Sequence, residues 1–506
     1  MIESYSYHIN YEQIYVKKGN EKMKKMNRII AGGLALLSMS AMLGGCKTVN
    51  TANSGDVPTL VWYVPGDKQQ DIDSINEAAS KITEEKIGAK IQMTFISNGS
   101  YGEKISMINA SSEKYDLCFT GYLSPYLTNA QKGSLLDITE MLKDTPELVK
   151  SLPDFVWDGA KIDDRIYAVP NYQILATTTG LSINKELADK YNLNVDNIKK
   201  TEDIEPFLEQ VAKNESGVYP FRANWGVASF TDVGADHSDN YKGQSLIAYV
   251  RENGKIKVVP SFELGNSKEK AKKLYAWYQN GYIRKDSASV MDDSQDAKAG
   301  KYAVQMTAYK PGVESEDKIY MGGDVYSISL SKPMLHQDSI RATMIGIGAN
   351  SKNPEKALKF IELINTDKEL YNLICFGIEG KHYNKVGENR IELIENSGYN
   401  PNAAWKFGNQ FNAYLLPGQA DDVWEQTKQI NESAEKVVNF GFDPDYTAVR
   451  TQQAQCSTVI SEYKVMNTGA INPDEYFDDF EKKLYDAGLQ DIINEIQSQV
   501  DKHFKQ

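Results

Sequence analysis

The sequence predicts an α/β fold divided into at least two domains. Predicted strands alternate with predicted helices from residue 59 onward, a pattern typical of βαβ units that form a parallel sheet covered by helices. The chain has 506 residues, of which 41% are hydrophobic and 25% are charged, as in folded globular proteins. Because single hydrophobic cores stop growing at about 250–300 residues, this length requires more than one domain.

The N-terminal region has the features of a secretory signal peptide. Basic residues cluster between positions 17 and 28, apolar and small residues fill positions 29–43, and Leu43-Gly44-Gly45-Cys46 follows. A charged start, a short apolar run and small residues before a break define such a signal. A membrane span needs roughly 20 apolar residues, so a short transmembrane anchor is the less favoured alternative.

The Leu-Gly-Gly-Cys ending resembles a bacterial lipobox, in which the cysteine is lipidated and becomes the first mature residue. This resemblance makes residues 23–45 the signal peptide, Cys46 the lipidation site and residues 46–56 a flexible polar tether. Since each buried acyl CH₂ contributes about 0.8 kcal/mol to membrane binding, we expect a lipid-anchored protein on the extracellular face of the cell membrane. Residues 1–22 do not fit this pattern, and we hypothesise that translation starts at Met23.

The predicted elements after the tether begin with a buried strand. Residues 59–64 are apolar, β-branched or aromatic and end at Pro65-Gly66, which is typical of such strands. The next predicted elements are a helix over 70–86, a strand over 89–96, a helix over 102–111 and a strand over 115–119. Further helices are predicted over 184–191, 203–213, 267–279, 354–365, 421–438 and 472–506. The helix over 354–365 has the clearest start, with Asn353 as N-cap and Pro354 in the first position.

Composition and motifs exclude several classes of function. There are 56 basic and 69 acidic residues, a net charge of −13, which argues against a nucleic-acid partner because nucleic acid requires a basic surface. No motif for a serine nucleophile, a zinc protease, a P-loop or a dinucleotide site occurs. We therefore predict no enzyme, no cofactor and no metal. A glycoside hydrolase stays an alternative, since its paired carboxylates have no fixed sequence spacing.

The cysteines that follow Cys46 are predicted to be buried thiols. Cys118 lies in a predicted strand and Cys375 in an apolar helical segment, and Cys456 is the third. Free cysteine behaves as a small apolar residue in protein interiors. A disulfide between two of these three stays open as an alternative.

Aromatic residues supply the candidate ligand site. The chain has 30 Tyr, 6 Trp and 16 Phe, and flat rings with a polar group suit stacking on sugars. Ligands of open α/β sheets bind beyond the carboxyl ends of the strands, although most aromatic residues pack in cores. We assign Trp62 and Trp277, which lie in regular elements, to the core. The candidate ligand-binding residues in loops are Asp67, Tyr122, Tyr126, Asn171, Tyr172, Gln173, Trp225 and Trp405.

Several segments together resemble a known family. They are Leu60-Val61-Trp62-Tyr63, Gly133-Ser134-Leu135-Leu136-Asp137-Ile138, Ile166-Tyr167-Ala168-Val169-Pro170, residues 180–187 and residues 351–360. In order and spacing they resemble the family 1 extracellular solute-binding proteins of ABC importers. The segments 371–373, 377–383, 441–444 and 487–489 resemble a Gram-positive subgroup with a C-terminal extension.

The resemblance implies a periplasmic-binding-protein-like fold of two α/β lobes, each a mainly parallel sheet flanked by helices. It places residues 57–172 with 335–370 in the first lobe and residues 173–334 with 371–506 in the second. A solute, often an oligosaccharide, would bind in the cleft between the lobes, and lobe closure would deliver it to an ABC permease. We expect a monomer that binds carbohydrate. A peptide or an anionic, uronate-type solute is the alternative within this fold.

Overall fold

The computed structural model describes residues 57–111, 113–176, 178–223, 246–290 and 292–506. The strands in this part are β1 (Thr59–Pro65), β2 (Lys90–Ile96), β3 (Leu117–Gly121), β4 (Ala168–Pro170), β5 (Thr178–Asn184), β6 (Tyr219–Phe221), β7 (Ile247–Glu252), β8 (Lys255–Pro260), β9 (Tyr302–Tyr309), β10 (Val325–Ser329), β11 (Met334–Leu335), β12 (Thr343–Ile347), β13 (Tyr383–Lys385), β14 (Ile391–Leu393) and β15 (Glu435–Lys436).

The α-helices of the described ranges alternate with these strands. They are α1 (Ile72–Ile87), α2 (Asn98–Ala110), α3 (Tyr126–Gln131), α4 (Pro146–Ser151), α5 (Asp154–Ala160), α6 (Lys185–Lys190), α7 (Glu205–Asn214), α8 (Ser267–Gln279), α9 (Ser294–Lys298), α10 (Val313–Met321), α11 (Gln337–Ile340), α12 (Pro354–Thr366), α13 (Lys368–Phe376), α14 (Val423–Ser433), α15 (Arg450–Tyr463), α16 (Pro473–Asp486) and α17 (Leu489–Phe504). Short 3₁₀ turns lie at Met141–Asp144, Val195–Asn197, Thr201–Ile204, Ser261–Asn266, Ala404–Lys406, Gln410–Asn412, Thr447–Val449 and Lys464–Thr468.

The first lobe is built on a sheet with strand order β2-β1-β3-β12-β4. β1 runs parallel to β2 and β3, and β4 has the same direction, whereas β12 is antiparallel to both of its neighbours. β12 is the strand by which the chain returns from the second lobe. It enters the sheet without the helical crossover that parallel neighbours require, which accounts for its opposite direction.

The second lobe is built on a sheet with strand order β10-β5-β9-β6. β6, β9 and β10 share one direction, and β5 is antiparallel to β9 and β10. β5 is the first strand after the chain crosses from the first lobe, so each sheet has its reversed strand directly after a crossing. The predicted α/β fold with two lobes is confirmed.

The predicted core tryptophans each anchor one lobe. Trp62 is fully buried in the first lobe and packs edge-on against Phe360 and Phe407, with ring centroids 5.4 and 5.8 Å apart. Trp277 is buried in the second lobe, 5.0 Å from the ring of Phe221. Cys118, Cys375 and Cys456 are free, buried thiols, as predicted.

Residues 371–413 belong to the first lobe, so their predicted place in the second lobe is wrong. α13 starts two residues after the end of α12 and packs against α1. Tyr371 and Phe407 are fully buried in the same apolar cluster as Trp62, and the Tyr371 hydroxyl donates to the Ala404 carbonyl at 2.7 Å. Contacts between segments distant in sequence fix this assignment, and the local pattern of the segment carries no sign of them.

The C-terminal residues form a small body of their own, which we call the extension (residues 438–506). Its helices α15, α16 and α17 pack with the β7–β8 hairpin around buried side chains such as Tyr249, Phe442 and Leu484. It is seated closely on the second lobe, because a Cβ at Gly469 would lie 2.8 Å from the Leu274 carbonyl oxygen. The single helix predicted over 472–506 is interrupted at Gly488, whose φ of +96° requires glycine.

Among the residues that the structure describes, three chain segments connect the lobes. Residues 171–176 leave the first lobe, β11 returns to it, and β15 pairs with β11 in parallel. The Asn431 side chain in α14 accepts hydrogen bonds from the backbone of Leu175 and Ala176 at 2.8 and 3.1 Å. Arg341 follows α11 and forms an ion pair with Asp443 of the extension at 2.5 Å, so the extension also contacts the first lobe.

Candidate functional site

The carboxyl edge of the first-lobe sheet brings predicted site residues together. Asp67 follows β1, Tyr122 follows β3 and Asn171 follows β4, while β12 begins at this same edge. The Tyr122 backbone N–H donates to Ala342 and that of Asn171 donates to Thr343, both at 2.9 Å. Tyr122 and Asn171 therefore lie on either side of the start of β12. Ligands of open α/β sheets bind beyond the carboxyl ends of the strands. The sequence therefore predicted that the candidate residues Asp67, Tyr122 and Asn171 lie at this edge.

A glycine directs Tyr122 away from the sheet. Gly121 has a φ of +142°, and a Cβ there would lie 2.0 Å from the Ala342 carbonyl oxygen. Its N–H donates to the Ser124 carbonyl at 2.8 Å and closes a tight turn. Any other residue would be strained and would push β12 away. Gly121 therefore fixes the backbone position from which the Tyr122 side chain extends.

Tyr122 and Trp405 form an aromatic pair at this edge. Their ring centroids are 5.8 Å apart and their planes are tilted by 41°. Phe119 supports the Tyr122 ring from the sheet side at 5.6 Å, edge to face. Both members of the pair are partly exposed, and Asp67 is exposed at the same sheet edge, where its charge interacts with Lys406, the neighbour of Trp405. The edge therefore offers two aromatic faces and a carboxylate.

Lys406 holds Trp405 in place, and the sequence reasoning missed it. The side chain is only 4% exposed, and its Nζ donates to the Pro65 carbonyl at 3.0 Å and to Asn98 Oδ1 at 3.4 Å. The same Nζ lies 4.8 Å from the Trp405 ring centroid. Burial lowers the pKa of Lys406 to about 8, and the charge of Asp67 opposes this change. In the sequence, the one local sign of this role is that the charged Lys406 stands between two aromatic residues, Trp405 and Phe407.

Two buried amides at the edge retain hydrogen-bonding capacity. Asn171 is 1% exposed, and neither atom of its side-chain amide has a hydrogen-bond partner within the described ranges. Gln173 donates to Thr343 Oγ1 at 3.0 Å, while its Oε1 has no partner in the same ranges. Buried polar groups are nearly always paired in folded proteins. These amides are therefore suited to accept further partners.

Two of the predicted tyrosines lie in the interior, so we remove them from the candidate site. Tyr126 starts α3, and its buried hydroxyl donates to the Ala160 carbonyl at 2.8 Å and accepts from the Tyr167 N–H at 3.0 Å. Tyr172 is 4% exposed and packs edge-on against Phe411 at 4.6 Å, so its ring has no open face for stacking, although its hydroxyl, like the Asn171 amide, has no hydrogen-bond partner within the described ranges. Both rings find apolar partners from segments distant in sequence, which is the usual fate of tyrosine.

The remaining predicted positions, Trp225 and Cys46, lie outside the described residues. Within the described ranges, no group of three or more His, Cys, Asp or Glu side chains could hold a metal ion. No helix of those ranges has the length and apolar character needed to cross a bilayer.

The chain matches two family models. Residues 66–370 match the model of the bacterial extracellular solute-binding proteins. The chain belongs to this family. Residues 438–505 match a domain of unknown function, DUF3502, and this match coincides with the extension.

Relatives of this solute-binding protein cover almost its whole length. It is 28% identical over 499 residues to a carbohydrate ABC transporter substrate-binding protein of Streptococcus pneumoniae, which covers 96% of this chain and 99% of the relative. It is 22% identical over 517 residues to the lipoprotein LipO of Bacillus subtilis, with 92% and 97% covered.

A solved structure has the same overall fold. The N-glycan transport solute-binding protein NgtS of Streptococcus pneumoniae superposes with a TM-score of 0.78 at 28% identity, over 88% of this chain and 99% of that one. Its complex with Man5GlcNAc superposes with a TM-score of 0.63 over the same shares.

Proposed function

We propose that this solute-binding protein binds an oligosaccharide at the carboxyl edge of its first-lobe sheet and delivers it to the permease of an ABC importer. The observation that carries the proposal is the partly exposed aromatic pair of Tyr122 and Trp405, at the same sheet edge as the exposed carboxylate of Asp67. Aromatic faces stack on the apolar faces of sugars, and carboxylate and amide oxygens accept hydrogen bonds from sugar hydroxyls. The site would bind its ligand without chemical change.

The spacing of the pair favours a chain of sugars over a single sandwiched ring. Stacking contacts require about 3.5–4 Å on each side of a ring, so a sandwich needs about 7 Å or more between the flanking planes. The centroids of Tyr122 and Trp405 are 5.8 Å apart. Successive sugar units would therefore lie across the exposed sides of the two rings.

The relatives support both the ligand class and the closure of the lobes. The pneumococcal protein that matches along nearly the whole chain is a carbohydrate substrate-binding protein. One NgtS structure superposes with a TM-score of 0.78, and its complexes with Man1GlcNAc and Man5GlcNAc superpose with TM-scores of 0.67 and 0.63. A hinge motion of two lobes on ligand binding would produce such a difference.

The proposed location is the outer face of the cell membrane, with the lipid attached to Cys46 and the protein monomeric. The lipobox-like Leu43-Gly44-Gly45-Cys46 carries this part of the proposal. Growth of the bacterium with an alkyne-bearing fatty acid should label the protein, and Cys46→Ser should remove the label and release the protein into the medium. Labelling that persists in Cys46→Ser would contradict lipidation at this residue.

Calorimetric titration of the full chain tests the ligand class. Man1GlcNAc and Man5GlcNAc, the glycans bound by NgtS, are titrated beside a uronate oligosaccharide and an oligopeptide. We expect binding of a neutral oligosaccharide and a loss of affinity of about tenfold or more in Trp405→Ala, as for buried aromatic contacts elsewhere. Trp424→Phe is the control, because the ring and hydrogen-bond partners of Trp424 among the described residues are Phe411, at 6.1 Å between centroids, and the Ala413 carbonyl, at 3.0 Å, and not Tyr122 or Trp405.

Each other outcome identifies an alternative. Tight binding of the uronate alone would favour an anionic solute, which the buried ammonium of Lys406 would attract. Binding of the peptide alone would contradict the carbohydrate class. Release of shorter sugars during incubation would indicate a glycoside hydrolase. Equal affinity of Trp405→Ala and the unchanged chain would contradict the assigned site.

A further inference from the structure

The loop that carries Asp67 is fastened to a segment more than three hundred residues away. This site loop (residues 66–71) connects β1 to α1. The Asp71 N–H donates to the Gly398 carbonyl at 3.0 Å, and Gln69 Oε1 accepts from the Asn400 N–H at 2.8 Å. The Gln69 amide in turn donates to the Asp67 carbonyl at 2.9 Å, so the contacts reach Asp67, a candidate ligand-binding residue.

A buried histidine completes this attachment. His382 is fully buried, and its Nδ1 accepts from the Ile378 N–H at 2.8 Å. Since Nδ1 is an acceptor, the ring hydrogen is on Nε2, which lies 3.2 Å from Asp71 Oδ2. Lys381 Nζ lies 2.6 Å from the same oxygen. Lys381 and then His382 hold the pKa of Asp71 below its usual value, so the carboxylate stays charged.

Two glycines allow the close approach of these groups. A Cβ at Gly377 would lie 2.4 Å from His382 Nδ1, and a Cβ at Gly398 would lie 2.9 Å from the Asp71 carboxyl carbon. Both glycines have positive φ, +84° and +92°, a conformation that other residues rarely adopt. The segment 377–400 is therefore shaped to bring an imidazole and an ammonium to one carboxylate of the site loop.

We infer that Asp71, His382 and Lys381 are positioning residues for ligand binding, which hold the site loop so that the Asp67 carboxylate meets a sugar hydroxyl. This inference rests on the proposed function of Asp67. A loop ordered before binding loses less conformational freedom when the ligand arrives, and binding groups must be held within about 0.5 Å to act well. The Asp71 carboxylate is already engaged by Lys381 and His382, so we assign it to positioning and not to contact with the ligand.

The test compares Asp71→Asn and His382→Asn with Asp73→Asn, a matched loss of charge two residues further on in the first turn of α1. Man5GlcNAc is the probe, titrated into the full chain. We expect Asp71→Asn to weaken binding about five- to tenfold and to speed amide hydrogen exchange in residues 66–71. His382→Asn should do the same where it folds, and Asp73→Asn should do neither.

Combination with Asp67→Ala separates positioning from general stability. If Asp71 acts through Asp67, Asp71→Asn should cause no further loss of affinity in the Asp67→Ala background. An equal loss in both backgrounds would overturn the inference, as would unchanged affinity or unchanged exchange in Asp71→Asn alone.

The same experiment distinguishes this inference from the proposed function. Asp67→Ala with unchanged affinity, while Trp405→Ala still weakens binding, would overturn the positioning role and leave the carbohydrate site in place. Failure of Man5GlcNAc and every other oligosaccharide of the panel to bind the unchanged chain would instead overturn the proposed function.

Discussion

Two buried polar side chains, one in each lobe, differ in how their hydrogen-bonding capacity is met. In the second lobe, the Asp317 carboxylate is 1% exposed and accepts from the hydroxyls of Ser182, Thr307 and Ser327, the latter two at 3.1 and 3.3 Å. In the first lobe, the Asn171 amide is equally buried, yet it has no partner within the described ranges. A satisfied polar cluster stabilises a fold, whereas unsatisfied capacity at a sheet edge indicates a place for a ligand, a water or a rearrangement.

The Asp317 cluster joins a helix to three strands. Asp317 lies in α10, and its three partners lie in β5, β9 and β10. Burial raises the pKa of Asp317, and the three hydroxyls oppose this change. Its hydrogen bonds therefore tie the outer helix to three of the four strands of the second-lobe sheet.

The largest expected effect on stability comes from removing the Asp317 carboxylate, the shared acceptor of the cluster. Asp317→Ala leaves three hydroxyls without their shared acceptor and creates a small cavity, so we expect a loss of about 3–4 kcal/mol in the free energy of unfolding. Urea denaturation measures this loss. Asp317→Asn keeps the size and one acceptor and should lose less. Equal stability of Asp317→Ala and the unchanged chain would show that the cluster is not a structural element.

The second effect depends on pH and concerns Lys406 in the first lobe. Its ammonium has its ordinary pKa of 10.5 when unfolded and a pKa of about 8 when folded. Between these values the unfolded chain binds more protons, so this residue makes the folded state more stable as the pH rises. Each pKa unit corresponds to about 1.4 kcal/mol, so the gain is on the order of 3 kcal/mol.

Lys406→Met isolates that gain. The unfolding free energy of the unchanged chain minus that of Lys406→Met should increase from pH 8 toward pH 10.5, measured by urea denaturation at each pH. The tyrosines titrate in both proteins and cancel in the difference. A difference that stays constant or decreases over this interval would mean that the ammonium is not held in a poorly solvated place.

The smallest expected effect on stability comes from the unsatisfied amide. Asn171→Ala removes no hydrogen bond of the side chain in the described structure, so the unfolding free energy should change by less than about 1 kcal/mol. Affinity for the bound oligosaccharide should nevertheless decrease, because the ligand or an associated water loses a partner. A large loss of stability with unchanged affinity would place Asn171 in the same class as Asp317.

Regular elements with strong local patterns were predicted well. The strand over 59–64 is Thr59–Pro65, and the helix over 354–365 is Pro354–Thr366. Asn353 stands at the N-cap as predicted, although its side chain makes no capping hydrogen bond. The β7–β8 hairpin was not predicted, because its stability depends on apolar contacts with the extension. Local periodicity carries no record of such contacts.

The site was predicted only in part for the same reason. Strand ends identified Asp67, Tyr122 and Asn171, since the carboxyl ends of parallel strands meet at one edge. Burial of Tyr126 and Tyr172 depends on rings contributed by other segments. Lys406 donates to the Pro65 backbone carbonyl and His382 lies against the Asp71 carboxylate, each hundreds of residues away in sequence, and neither residue type reveals such a role in a single sequence.

The β7–β8 hairpin has a further consequence for how copies of this protein meet. On its outer edge, Gln497 accepts from the Val258 N–H at 2.7 Å, and Gln506 accepts from the Ile256 N–H at 2.7 Å. Both amides also donate to the Ile256 carbonyl. The two glutamine side chains thus form the hydrogen bonds that a third strand would form with Ile256 and Val258. The outer edge of β8 therefore has no open ladder of backbone groups at these residues. An open ladder is a template for intermolecular β-pairing, so the extension removes one such template by covering this edge of β8.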